Sequence, residues 1–258
     1  MTIGFIGTGH ITSALVEGLS GGDAPGGPIL LAHRNRDRSA ALAARFSNVA
    51  VAADNQAVLD GAETVLLAVR PDIAPEVLGA LRFRADHLVI SLIALRPHRE
   101  VSGLVAPAAA LHRAVPLPSA AKRLGPVVYF PEDARVEALF APVGTPVAAR
   151  DETEFHRLWS LTGLLSPYYA VMEELSRWTE AGGVPAEAAK RYITSLFHAM
   201  AEMARAPEAS YGALSDAAAT PGGINEQGLA VIAGRDAIRP WGEATEAVFQ
   251  RMQRGGGG

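Results

Sequence analysis

Short runs of consecutive apolar residues recur through the first 150 residues of the chain, each separated from the next by a more polar stretch. The pattern predicts strands at Thr2–Ile6, Ile29–Ala32, Val49–Val51, Thr64–Ala68, His87–Ser91, Ala110–Arg113, Val127–Phe130 and Thr145–Ala149. Runs such as Thr-Val-Leu-Leu-Ala-Val from Thr64 and Leu-Val-Ile-Ser-Leu-Ile from Leu88 lack polar alternation. Strands covered on both faces in a parallel sheet read this way. Between them, the apolar residues of Ile11–Leu19, Arg38–Phe46 and Pro75–Leu81 fall three to four apart, as on one helix face. Strand–helix alternation of this kind predicts βαβ units in an open, doubly wound α/β sheet.

After Arg150 the strand pattern stops. Asp151–Leu161, Pro167–Ala181, Pro185–Arg205, Glu208–Ala218, Asn225–Ala233 and Pro240–Arg254 all carry helical spacing. Asp151 suits an N-cap, and Pro185 and Pro240 suit first-turn positions. Two domains are therefore expected, an α/β domain over 1–150 and an all-helical domain over 151–254. The four closing glycines, 255–258, read as a disordered tail. The stretch from Arg191 to Ala204 is apolar on more than one side. Such a helix is buried all round, either within the chain or in a homodimer, and a homodimer is the expectation.

Composition narrows the function classes. Apolar residues make up 49% and charged residues 19%, an ordinary globular balance, and the net charge of −4 provides no field to attract nucleic acid or anionic lipid. The absence of cysteine excludes disulfides, thiolate nucleophiles and cysteine metal sites. No membrane span and no secretory signal is read, so a cytoplasmic protein is expected. His112, His156 and His198 lack partners at ligand spacing, and no metal is expected.

The candidate chemistry begins at Gly7-Thr8-Gly9, followed by His10 and Ile11, where the first strand runs into the first helix. Gly7 permits a tight turn, and Gly9 lets a pyrophosphate approach the backbone. The helix N-terminus then offers amides and a positive dipole end. The third glycine of the G-x-G-x-x-G pattern is Thr12, whose bulk predicts slightly looser helix–strand packing. In this context the pattern marks a Rossmann dinucleotide site. The second strand ends not in Asp or Glu but in a segment holding Arg34, Asn35 and Arg36. Guanidinium groups there match a 2′-phosphate, so NADPH is expected over NADH. Ala68, Val69, Arg70 and Pro71 leave the fourth strand at the carboxyl edge of the sheet, where the cofactor runs. Arg70 reads equally as a phosphate contact or a solvent-facing side chain.

These segments occur in a particular order: GFIGTGHITSAL at the start, LLAVRPDIAPEVL from Leu66, VISLIA from Val89, HRAVPLPSA from His112, and TPGG from Thr220. Together they resemble the Δ1-pyrroline-5-carboxylate reductase family over nearly the whole chain. The resemblance implies a Rossmann domain for NAD(P)H, a helical domain that forms an interlocked dimer, and an active site between them. There a hydride reaches the C=N carbon of a cyclic imino acid. It also implies that Thr220 and the Gly222-Gly223 turn, with Ile224 and Asn225, hold a substrate carboxylate; Ser119, at a turn on the cofactor side, is a separate candidate for contact with nicotinamide or substrate. Independently, a Gly-Gly pair before a helix is a reasonable carboxylate nest.

The departures from the family pattern gather at the site. Ile224 and Asn225 replace a threonine pair, Leu117 replaces an asparagine, His10 stands where asparagine is common, and Thr162–Pro167 is more apolar than its counterpart. Asn225 and Glu226 are the candidates for favouring or protonating the imine nitrogen, with Thr220 beside them. Asn225 also reads as an N-cap, and Glu226 as an acid suited to the helix dipole. The expected partner is a small carboxylated imine, its identity shifted from pyrroline-5-carboxylate. Two alternatives remain. A β-hydroxyacid-dehydrogenase-type C=O reductase would need a catalytic lysine, and Lys190, without an asparagine four residues on, is a poor match. A non-catalytic NADP-binding sensor is the other.

Overall fold

The computed structural model describes residues 1–22, 26–33, 35–206 and 210–254. Arg34, Glu208 and the closing glycines, all named above, lie outside the described residues. The chain divides into two compact units, one of Met1–Trp159 with the last residues from Arg251, the other Ser160–Gln250. No helix is long and apolar enough to cross a membrane among the described residues.

The first unit alternates as the apolar runs require. Its elements are β1 (Ile3–Ile6), α1 (His10–Ser20), β2 (Ile29–Leu31), α2 (Arg36–Arg45), β3 (Val49–Val51), α3 (Asn55–Gly61), β4 (Thr64–Leu67) and α4 (Ala74–Gly79). They continue with β5 (Leu88–Ser91), α5 (His98–Leu104), β6 (Ala110–Val115), β7 (Pro126–Phe130), α6 (Ala134–Phe140), β8 (Thr145–Ala148) and α7 (Glu152–Ser160). The eight strands form one sheet in the order β3-β2-β1-β4-β5-β6-β7-β8. Chain order reverses between β1 and β4, which creates the switch point at which α/β sheets bind ligands.

Alternate residues of each strand feed opposite layers. Ile3 and Phe5 pack with Leu15 and Val16 of α1, while Ile6 packs with Val58 and Leu59 of α3. Burial on both faces explains the unbroken apolar runs. One pairing departs from the expected parallel sheet: β7 runs antiparallel to β6, and β8 follows β7. The reason is the connection. Only Pro116–Gly125 joins β6 to β7, and it is spent on a 3-10 turn, Pro118–Lys122, with Arg123 left-handed at φ 58°. A parallel return needs a crossover of about a dozen residues or more.

Two local details also differ from the sequence reading. Asn35 caps α2 by accepting the Arg38 amide, so that helix starts at Arg36 rather than Arg38. Thr12, expected to loosen packing, is fully buried, and its hydroxyl donates to the Gly7 carbonyl at 2.8 Å, bracing the turn.

The second unit holds α8 (Leu165–Ala181), α9 (Ala186–Met203), α10 (Tyr211–Ala218), α11 (Ile224–Gly234) and α12 (Arg239–Gln253), the last ending in the first unit's residues. In α8, α10 and α11 no residue is buried, and α9 buries only Ala189 and Ile193. Large apolar side chains stand in solvent instead, among them Trp178 at 76%, Tyr192 at 72% and Met203 at 68% exposed.

Candidate functional site

At the switch point the carboxyl ends of β1, β2 and β4 open a groove of about 820 Å3. It is lined by Gly7, Thr8 and Gly9 after β1, His33, Asn35, Arg36 and Asp37 after β2, and Ala68, Val69, Arg70 and Ile73 after β4. The first of these turns needs glycine at its head. Gly7 has φ 101°, and a Cβ there would stand 2.6 Å from the Ala68 carbonyl oxygen. Thr8 is buried and donates its hydroxyl to the Ala32 carbonyl at 2.9 Å, tying the turn to the end of β2.

The groove suits a pyrophosphate on several counts. No side chain caps α1, and its first turn holds no acid, so the positive end of the helix is left to a ligand. A Cβ on Gly9 would meet nothing within 4 Å: the space over this residue is open, as a phosphate cradle requires. His33 Nδ1 is buried without a hydrogen-bond partner beside the groove. Arg70 pairs with Asp72 at 2.9 Å, but both side chains are largely exposed and the pair is weak. His10 opens α1 with its Nε2 3.4 Å from Arg38 Nη2, and neither it nor Pro71 lines the groove. His33, Asp37 and Ile73 are lining residues that sequence reasoning did not select.

A second cavity, of about 240 Å3, lies at the carboxyl ends of β5 and β6. Ile11 forms part of its wall, with Ser91–Ala94, Arg113–Pro118, Phe155 and Trp159. Ser91 and Arg113 are register partners in adjacent strands. Arg113 is 2% exposed. Its Nη1 donates to Glu152 Oε1 at 2.8 Å and lies 3.2 Å from His156 Nε2, with the guanidinium 4.7 Å over the Phe155 ring. Glu152 Oε1 also accepts the His98 amide at 2.8 Å. Burial pushes the Glu152 carboxyl up, but the His98 amide and Arg113 outweigh it and hold the group below its ordinary value. Burial, followed by Arg113, pushes His156 down. An arginine inside the apolar strand Ala-Leu-His-Arg-Ala-Val was the one sequence signal for this cluster. Ser119 stands outside the cavity lining, and its hydroxyl lies over Gly125.

In the second unit the predicted turn is present. Gly222 has φ 74°, and Gly223 precedes α11 as its N-cap. The Gly222 amide donates to Glu226 Oε2 at 2.8 Å, so the acid caps its own helix. The Asn225 amide donates to the Ala218 carbonyl at 3.2 Å, Thr220 Oγ1 packs against Gly223, and Ile224 is 85% exposed. The reading of Glu226 as an acid serving its own helix start thus has a structural counterpart, whereas Asn225 is not the N-cap: Gly223 is, and the Asn225 side chain reaches back to the last residue of α10 instead. Among the described residues no group of three or more His, Asp or Glu side chains is gathered as a metal site.

Sheet order, glycine turn and groove define the first unit as a Rossmann dinucleotide-binding unit. A family model described as "NADP oxidoreductase coenzyme F420-dependent" matches residues 2–95, and one described as "Pyrroline-5-carboxylate reductase dimerisation" matches 152–254. The chain is similar to pyrroline-5-carboxylate reductases along nearly its whole length. It is 26% identical to the pyrroline-5-carboxylate reductase of Haemophilus influenzae, over 97% of this chain and 96% of that one. Its fold is similar to that of a pyrroline-5-carboxylate reductase from Coxiella burnetii, with TM-score 0.85, 24% identity, and 98% and 97% of the two chains covered. It is likewise similar to the Plasmodium falciparum pyrroline carboxylate reductase with NADP bound, with TM-score 0.82, 18% identity, and 100% and 98% covered.

Proposed function

We propose that the protein is an NADPH-dependent reductase acting on the C=N bond of a small carboxylated, cyclic imine, with a substrate shifted from pyrroline-5-carboxylate. The enzyme class, an NAD(P)H-dependent oxidoreductase acting on C=N, is supported by the full-length similarity to pyrroline-5-carboxylate reductases. The choice of NADPH is the finer reading. It rests on Arg36 lining the groove at the end of β2, where NAD-preferring sites usually hold an acid. Asp37, one residue on, also lines the groove and competes with that preference. The observation that carries the reading is the uncapped start of α1, opening onto a groove with room above Gly9.

Bound NADPH supplies a hydride. The chain has to hold the dinucleotide in place, orient the imine and favour its protonated form, the better hydride acceptor. Gly7–Gly9 and the first turn of α1 hold the pyrophosphate in this reading, and Arg36 and Asn35 lie near the adenosine ribose. We assign Thr220, Gly222, Gly223 and Asn225 to the carboxylate. Glu226 would move a proton at the imine nitrogen only after leaving the Gly222 amide. The helical unit, with its exposed apolar faces, is assigned to a homodimer.

The test is NADPH oxidation scanned over carboxylated cyclic imines that differ in ring size and carboxylate position. Saturable turnover of at least one member is expected. Cofactor binding without turnover of any imine or keto acid would replace the reading with a sensor.

A further inference from the structure

We infer that the cavity at the ends of β5 and β6 receives the hydrocarbon part of the substrate, and that Leu117 and Trp159 set its size. The substrate is then a carboxylated cyclic imine that carries a further hydrocarbon ring. This inference rests on the imine-reductase reading above.

Position comes first. The dinucleotide groove lies over β1, β2 and β4, and the cavity lies over β5 and β6, next along the same rim. A cofactor with its pyrophosphate at Gly7–Gly9 and its adenosine toward β2 extends its reactive end toward β4 and β5. The cavity is the next space in that direction.

Its walls select for hydrocarbon. Apart from the indole N–H of Trp159, the polar groups among its lining side chains are those of Ser91 and Arg113, and both of these have partners. Ser91 Oγ accepts the Ile93 amide at 3.3 Å. Arg113 is compensated by Glu152 at 2.8 Å, so the pair brings no net charge to the cavity. A substrate carboxylate placed here would lose its hydration without gaining a free counter-charge. An apolar ring loses nothing and gains about fourfold in affinity per buried methylene. Leu117 and Trp159 add two large apolar side chains from different parts of the chain: Leu117 from the turn after β6 and Trp159 from the end of α7.

The experiment compares pyrroline-5-carboxylate with a carboxylated dihydroisoquinoline, using the full-length protein and its Leu117→Asn, Trp159→Ala and Trp159→Phe variants. The wild type is expected to favour the fused-ring imine at least tenfold in kcat/KM. Leu117→Asn and Trp159→Ala should each remove that preference by about tenfold, through KM, and Trp159→Phe should retain most of it. Fluorescence titration of NADPH should give dissociation constants within about twofold of wild type in all three variants. Calorimetry with NADP and the carboxylated tetrahydroisoquinoline provides a readout independent of turnover, and Trp159→Ala should weaken that binding to the same degree. A preference for pyrroline-5-carboxylate unchanged by the substitutions overturns the inference. So does a parallel loss of NADPH affinity, which would make the cavity the seat of the nicotinamide ring. A wild type that binds NADPH and the fused-ring amine yet reduces neither imine refutes the reductase reading while leaving the cavity's occupant confirmed.

Discussion

A guanidinium with only 2% of its side-chain surface in solvent, as in Arg113, has to be neutralised where it stands. Glu152 does this from the first turn of α7 and accepts the first amide of α5 with the same oxygen. Glu152→Gln is expected to destabilise the protein by roughly 2–3 kcal/mol, at the lower end for a broken buried pair because Glu152 is partly exposed. A lower denaturant midpoint at unchanged m-value would show it. Because the Glu152 carboxyl is held below its ordinary value, its contribution is present above the usual carboxylate range. It is lost as pH falls through the lowered value. In the groove, Arg36→Ala should raise the dissociation constant for NADPH by about tenfold to a hundredfold and leave that for NADH nearly unchanged. Fluorescence titration of the two cofactors checks it, and equal losses for both would remove Arg36 from the 2′-phosphate.

Gly222 shows how an element boundary depends on one backbone conformation. Its φ of 74° belongs to the left-handed region, and a Cβ there would meet nothing within 4 Å. Gly222→Ala is therefore expected to cost about 1–2 kcal/mol through backbone strain alone, with no packing term. A drop in Tm of a few degrees with unchanged NADPH affinity is the expected result. Element existence was legible in the sequence because strands buried on both faces leave unbroken apolar runs, and Thr64–Ala68 and His87–Ser91 sit over β4 and β5. Strand direction was not, since an apolar run reads the same both ways. The direction of β7 is set by the short Pro116–Gly125 connection. The brace from Thr12 was hidden for a similar reason: a hydroxyl that donates to a carbonyl five residues back looks like mere bulk in a glycine pattern. The groove was legible because its glycine turn is local, and Gly7–Gly9 line it together with Asn35, Arg36 and Ala68–Arg70. The second cavity was not, because Ile11, Arg113 and Trp159 come together only in the folded sheet.

Across the molecule, burial biases several histidines toward the neutral form. His87 accepts the Arg84 amide at Nδ1 and contacts the Leu59 carbonyl at Nε2, an arrangement that only an uncharged ring satisfies. Burial, followed by Arg84, pushes His87 down, and burial also pushes His112 and His156 down. Each ring takes a proton more readily in the unfolded chain. Stability should thus be fully present above about pH 6.5, the ordinary histidine value, and fall progressively below it. Chemical denaturation followed from pH 8 to 5 checks this, and His87→Gln should flatten part of the slope. The second unit imposes a different dependence. Helices that leave Trp178, Tyr192 and Met203 in water have most of their apolar surface still to bury, and another copy of the chain is the proposed cover. Folding and assembly then become one equilibrium, and stability acquires the units of a bimolecular process. Dilution alone, at constant temperature and pH, should loosen the helices, and the melting temperature should climb with each decade of protein concentration.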